Sequence, residues 1–205
     1  MEGKLKFMVK KMKKAMIVFL AALILLPPGW GLPVVKAAED ATPESNIIFT
    51  EDFKDGQGAA VPSGNPSLEV VDNKVFEGND DGNALYISGR QNDYDAIDFI
   101  FEDHNMNDGK TYAFTVFGYV DEDEVIPDGA EAVLLTVPKD TEDYDNYNWH
   151  NNVSFEKGQP FKLSGEFTVD SEIHDRFRIQ SNPNGATVSF YVGYVEVAEL
   201  TTADP

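Results

Sequence analysis

Arg176-Phe177-Arg178-Ile179-Gln180 and Thr187-Val188-Ser189-Phe190-Tyr191-Val192 each place a large apolar residue at every second position. That is the period of a β-strand with one face in a core and the other outside it. Working outward, the second run continues to Val197, and stretches of strand length and composition lie at 47–53, 67–71, 84–88, 96–101, 111–120, 130–137, 152–155 and 161–169. Gly, Asn, Asp or Pro separates nearly every neighbouring pair, and nothing after residue 37 carries a helical stripe or an internal repeat. About ten short strands with turn residues between them predict an all-β fold, an antiparallel β-sandwich of the jelly-roll kind rather than a parallel α/β sheet.

The chain opens differently. Lysines at 4, 6, 10, 11, 13 and 14 precede an apolar run at 15–26 and then Pro27 and Pro28, the layout of a secretory signal peptide. The run is too short to span a bilayer, and prolines at 27, 28 and 33 interrupt a longer membrane helix. Val35 and Ala37 supply small residues before a cleavage point after Ala37. The expected organisation is therefore a signal peptide at 1–37, a linker at 38–46, the sandwich at 47–200 and a tail at 201–205, in a secreted, extracellular protein. Cysteine is absent from the sequence, so packing rather than disulfides must stabilise it.

Removing a leader with seven lysines and one glutamate takes the formal charge from −20 to −26. Such a surface repels phosphate backbones and anionic lipid, which argues against a nucleic-acid partner and, after cleavage, against a membrane. A neutral ligand escapes that repulsion.

Several chemistries have no footing. No Gly-x-Ser-x-Gly elbow exists, and His104, His150 and His174 stand singly, as surface or turn histidines do. No zinc spacing or phosphate loop occurs. The acidic clusters at 121–124 and 140–145 lack the spacing of a calcium loop and read as solvated turns. No catalytic or metal-ligating residue is therefore assigned. Glycoside hydrolysis needs only two carboxylates at a fixed separation, which sequence does not measure, so a small β-sandwich hydrolase or lyase stands as the second reading and a cell-surface adhesion protein as the third.

The positive signal is aromatic. Tyr144-Asp145-Asn146-Tyr147-Asn148-Trp149-His150-Asn151-Asn152 concentrates three aromatics among amides and acids, too polar a setting for a core strand. Sugar rings present apolar faces that stack on Tyr and Trp, while their hydroxyls need polar side chains. Trp149 is open to two readings here, a core filler or a platform for a ring.

From about residue 49 to 200 the chain resembles a family-22 carbohydrate-binding module, the xylan-binding β-sandwich typical of secreted xylanases. The resemblance rests on Asp52-Phe53-Lys54-Asp55-Gly56, Ala84-Leu85-Tyr86-Ile87-Ser88-Gly89-Arg90, Gly109-Lys110-Thr111-Tyr112 and Phe190-Tyr191-Val192-Gly193-Tyr194-Val195-Glu196-Val197. It implies non-catalytic, monomeric binding of xylan or mixed-linkage β-glucan in a groove on one sheet. It also implies a ligand set of Tyr94, where the family carries a Trp, then Tyr147 with Trp149 as its alternative, and Gln180 in place of the family's acid. Arg178 shares the Gln180 face. Ser63 falls where the family has an arginine. The family's structural calcium ligands correspond to Lys54 and Gly193, which implies that the ion, and with it any cofactor, has been lost.

Overall fold

A computed structural model describes residues 44–201; the leader and most of the stretch read as a linker lie outside the described residues. Eleven strands follow in order: β1 (Glu44–Glu51), β2 (Val61–Ser63), β3 (Ser67–Val71), β4 (Ala84–Ser88), β5 (Ala96–Ile100), β6 (Thr111–Tyr119), β7 (Glu131–Pro138), β8 (Asn148–Ser154), β9 (Pro160–Thr168), β10 (His174–Ser181) and β11 (Phe190–Thr201). They form two antiparallel sheets. One runs β3-β4-β11-β6-β9 with β1 also paired to β11, and the other runs β2-β5-β10-β7-β8. Among the described residues the helical elements are three short 3-10 turns, so the antiparallel β-sandwich expected from the sequence is the architecture found.

Alternation builds the core. Tyr112, Phe114 and Val116 of β6, with Phe190 and Val192 of β11, face Phe99 of β5, Phe177 and Ile179 of β10 and Leu134 of β7, all fully or almost fully buried. Phe99 and Phe177 stack at 4.9 Å with planes 12° apart. Each such side chain contributes about 1.5–3 kcal/mol on burial. A bulge between Val192 and Tyr194 shifts the β11–β6 register by one residue, which is why Val192, Val195 and Val197 all point inward despite the odd step between the first two.

The edges differ from the sequence expectation. β1 starts at Glu44, inside the stretch read as linker, and β11 reaches Thr201, because Glu44 pairs with Thr201 through the backbone and needs no apolar side chain to do so. β11 begins at Phe190 rather than Thr187, since Val188 N–H closes a turn onto Gly185 O. β8 begins at Asn148 instead of 152, and β2, an edge strand containing Pro62, was not foreseen.

The register of the five-stranded sheet sets a row across all its strands: Val61, Asp98, Arg178, Leu135 and Trp149 are successive partners on β2, β5, β10, β7 and β8. At the usual interstrand spacing this row spans about 19 Å.

Candidate binding groove

The outer face of the five-stranded sheet holds a groove of about 740 Å³, within the size range of small-ligand sites. Its floor comes from the polar side of β10. With Phe177 and Ile179 turned into the core, Arg176, Arg178 and Gln180 must turn out. Arg178 Nε donates to Asp98 Oδ1 at 2.7 Å and Nη2 to Oδ2 at 3.0 Å, a bidentate pair in which Asp98 is 2% and Arg178 5% exposed. Arg176 Nη1 reaches Asp98 Oδ2 at 3.5 Å, while its Nε and Nη2 donate to Asp175 at 2.6 and 2.9 Å. The two guanidinium groups are thus matched by two carboxylates, and the floor presents fixed polar groups without an uncompensated charge. Gln180, also buried, donates from Nε2 to Ser181 O at 3.2 Å.

Aromatic side chains rise at both ends of this floor. Tyr94, 48% exposed, projects from the loop between β4 and β5, beside Ser63 and Pro62 of β2. At the β8 edge Trp149 is 53% exposed, with Tyr147 and Tyr144 next to it. Tyr147 covers the outward apolar side chains of β7, Val133, Leu135 and Val137, and its ring lies nearly parallel to that of Tyr144, centroids 6.4 Å apart. Burial raises the Tyr147 phenol above its ordinary pKa, so the hydroxyl stays a donor, here to Thr141 O at 3.2 Å. His174 anchors the same turn through Nε2 on Asn146 O at 2.8 Å. The surface-histidine expectation fails for His174, which is buried, because its hydrogen bond closes the base of the aromatic wall.

All five residues singled out in the sequence, Tyr94, Tyr147, Trp149, Arg178 and Gln180, line this one groove. Trp149 is no core filler, and Tyr147 and Trp149 are both present where the sequence offered either. Ser63 lines the groove as well. Tyr144, the third aromatic of the 144–152 segment, lines it too, while Asp98, Arg176 and Leu135 carry no such signal in the sequence. Asp98 did leave a trace: a lone acid inside Ala96-Ile97-Asp98-Phe99-Ile100 has to be paired if it is buried.

Lys54 and Gly193 lie away from the groove. The Lys54 ammonium pairs with Asp52 and, at 3.1 Å, with Asp81. A Cβ on Gly193 would fall 2.5 Å from the Asn79 side chain. Lys54 and Gly193 offer no side-chain oxygen, the neighbouring carboxylates are engaged by the ammonium, and among the described residues no three His, Cys, Asp or Glu side chains gather to hold a metal.

A two-sheet sandwich with an aromatic-walled, hydrogen-bonding groove across one sheet defines a sugar-binding module. A family model described as a carbohydrate binding domain matches residues 45–187, and the chain belongs to that family. The fold is shared with the CBM22-1 xylan-binding domain of Paenibacillus barcinonensis Xyn10C, at 13% identity and TM-score 0.64 over 80% of this chain and 100% of that one. The CBM22-2 xylan-binding domain of the same Xyn10C aligns at 21% identity and TM-score 0.58, over 75% of this chain and 99% of its own. The CBM22-1–GH10 modules of Clostridium thermocellum Xyn10B, solved with xylohexaose, align at 14% identity and TM-score 0.60, over 79% of this chain and 30% of theirs. No curated protein matches by sequence.

Proposed function

We propose that the groove binds xylan or a related neutral β-linked plant polysaccharide and leaves it intact, as a free-standing module or as the targeting part of a xylanase. The observation that carries this reading is the pairing of exposed aromatic faces at both ends of the groove with a floor of ordered polar side chains. Stacking and hydroxyl recognition are supplied together. The acidic surface and the charge-matched floor favour a neutral polymer over a polyuronate. Cleavage would need a carboxyl free to donate a proton, whereas both oxygens of Asp98, the buried acid of the floor, are held by guanidinium groups. The leader-like segment supports secretion. Lys54, bridging Asp52 and Asp81, supports replacement of the family's calcium by an ammonium.

Calorimetry of the purified protein against soluble arabinoxylan, mixed-linkage β-glucan and mannan tests the reading, with Tyr94→Ala and Tyr147→Ala alongside. Xylan binding that either substitution weakens by about tenfold or more, to a level calorimetry still reads, is the expected result. Binding unchanged in both variants would place the ligand elsewhere, and silence towards every glycan would remove the proposal and turn the search to adhesion or to an enzyme.

A further inference from the structure

We infer that Arg90 and Asp95 are positioning residues of the groove, setting Tyr94 against Gln180 and Ser63; this rests on the groove being the sugar site. Arg90 is buried and lines no part of the groove itself. Its guanidinium has five N–H donors and five acceptors: Asp95 O from Nε at 2.6 Å, Gly185 O and Val188 O from Nη1 at 3.1 and 2.6 Å, and Asp93 O and Ser181 Oγ from Nη2 at 2.9 and 2.7 Å. Asp93 and Asp95 flank Tyr94 on either side, and Ser181 follows Gln180. One side chain therefore ties the loop bearing an aromatic wall to the strand bearing part of the floor.

Asp95 completes the frame from the opposite direction. Oδ1 accepts from Asn65 N at 2.9 Å, and Oδ2 from Gln91 N and Asn92 N, both at 2.8 Å, and from Asn92 Nδ2 at 3.2 Å. Asn65 follows Ser63 and Gly64, which line the groove. Gly64, at φ +67°, passes so close that a Cβ there would lie 2.1 Å from Asp95 Oδ1. The loop on both sides of Tyr94 is thus fastened by its backbone.

That fastening matters because, among the described residues, Tyr94 has no ring partner and no side-chain hydrogen bond, and nearly half of it is open to solvent. Its aim comes from where its main chain is held. A cation buried among carbonyls is costly, and here burial pulls the Arg90 guanidinium down to about 10. A volume-filling role would be served as well by an apolar side chain. Lysine, with three donors on one point, does not reproduce the planar fork.

The test is a double-mutant cycle in arabinoxylan affinity, using Arg90→Lys and Asp95→Asn, each alone and combined with Tyr94→Ala, with circular dichroism and thermal midpoints to show that each variant is folded. Either substitution is expected to weaken binding about tenfold when Tyr94 is present and less than about twofold when it is alanine. Equal losses in both backgrounds, or a lowered midpoint with unchanged affinity, would make the pair structural only. If Arg90→Lys does not fold, the isosteric Asp95→Asn decides. A ligand-free readout separates this inference from the function it rests on: in fluorotyrosine-labelled protein the 19F resonance of Tyr94 shifts or broadens in the variants, and an unmoved resonance overturns the positioning role whatever the protein binds.

Discussion

Substituting Asp98 by leucine strands the Arg178 guanidinium in a site only 5% exposed, beneath the groove and between β5 and β7. Two charge-assisted hydrogen bonds, at 2.7 and 3.0 Å, disappear together, and breaking a buried pair from one side costs about 3–5 kcal/mol. Arg176 loses only a 3.5 Å contact, is more exposed and keeps Asp175, adding less than about 1 kcal/mol. The expected loss is about 4 kcal/mol, which at a urea dependence of about 2 kcal/mol/M lowers the unfolding midpoint by about 2 M. The double variant Asp98→Leu/Arg178→Met should recover to within about 1 kcal/mol of the parent, since apolar packing replaces a buried pair without penalty, yet it should bind no glycan. Urea unfolding and arabinoxylan calorimetry on the same samples read both effects. A single variant within 1 kcal/mol of the parent, or a double variant as unstable as the single, would refute the reasoning.

Trp149→Ala should abolish detectable arabinoxylan binding while changing stability by no more than about 0.5 kcal/mol, because more than half of the ring is already in water; a collapse in thermal midpoint would assign the ring a packing role instead. Burial, reinforced by His174, pulls the His150 imidazole down to about 4, and burial also lowers His104, so both are neutral in the folded protein. The His150 contribution is present above the unfolded pKa of about 6.5 and lost as pH falls from there towards 4, by about 1–2 kcal/mol after allowing for solvent screening; His150→Gln should flatten this part of the pH–stability curve, and an unchanged slope would remove the histidine from the account. Wild-type thermal midpoints should be indifferent to chelator and to added calcium, whereas Lys54→Glu, which frees Asp52 and Asp81 and adds a third carboxylate, should gain a calcium-dependent rise; a chelator-induced drop in the wild type would contradict replacement of the ion by the ammonium.

The central strands were legible because they are amphipathic: Phe177 and Ile179 in, Arg176, Arg178 and Gln180 out, as the alternation states. The edges were not, because an edge strand is defined by main-chain pairing. Asn148 to Asn151 reads as a loop by composition and is strand by register, with its single large ring, Trp149, on the groove and therefore no apolar alternation to mark it. Val61-Pro62-Ser63 is too short to show a period at all. The site divides in the same way. Exposed aromatics in polar stretches could be picked out one by one, but Asp98 and Arg178 stand 80 positions apart and meet only through sheet register, a long-range pairing that composition does not encode.

The pairing of Glu44 with Thr201 places the first and last described residues side by side in one ladder, with Cα atoms about 5 Å apart. Chain entering and chain leaving this sandwich therefore do so at one point, the arrangement that tolerates insertion into a surface loop of another protein. Residues 44–201 suit splicing into the middle of a carrier as well as fusion at its end. Because that junction lies in the sheet opposite the groove, a carrier spliced there would leave the aromatic face free to meet a polymer.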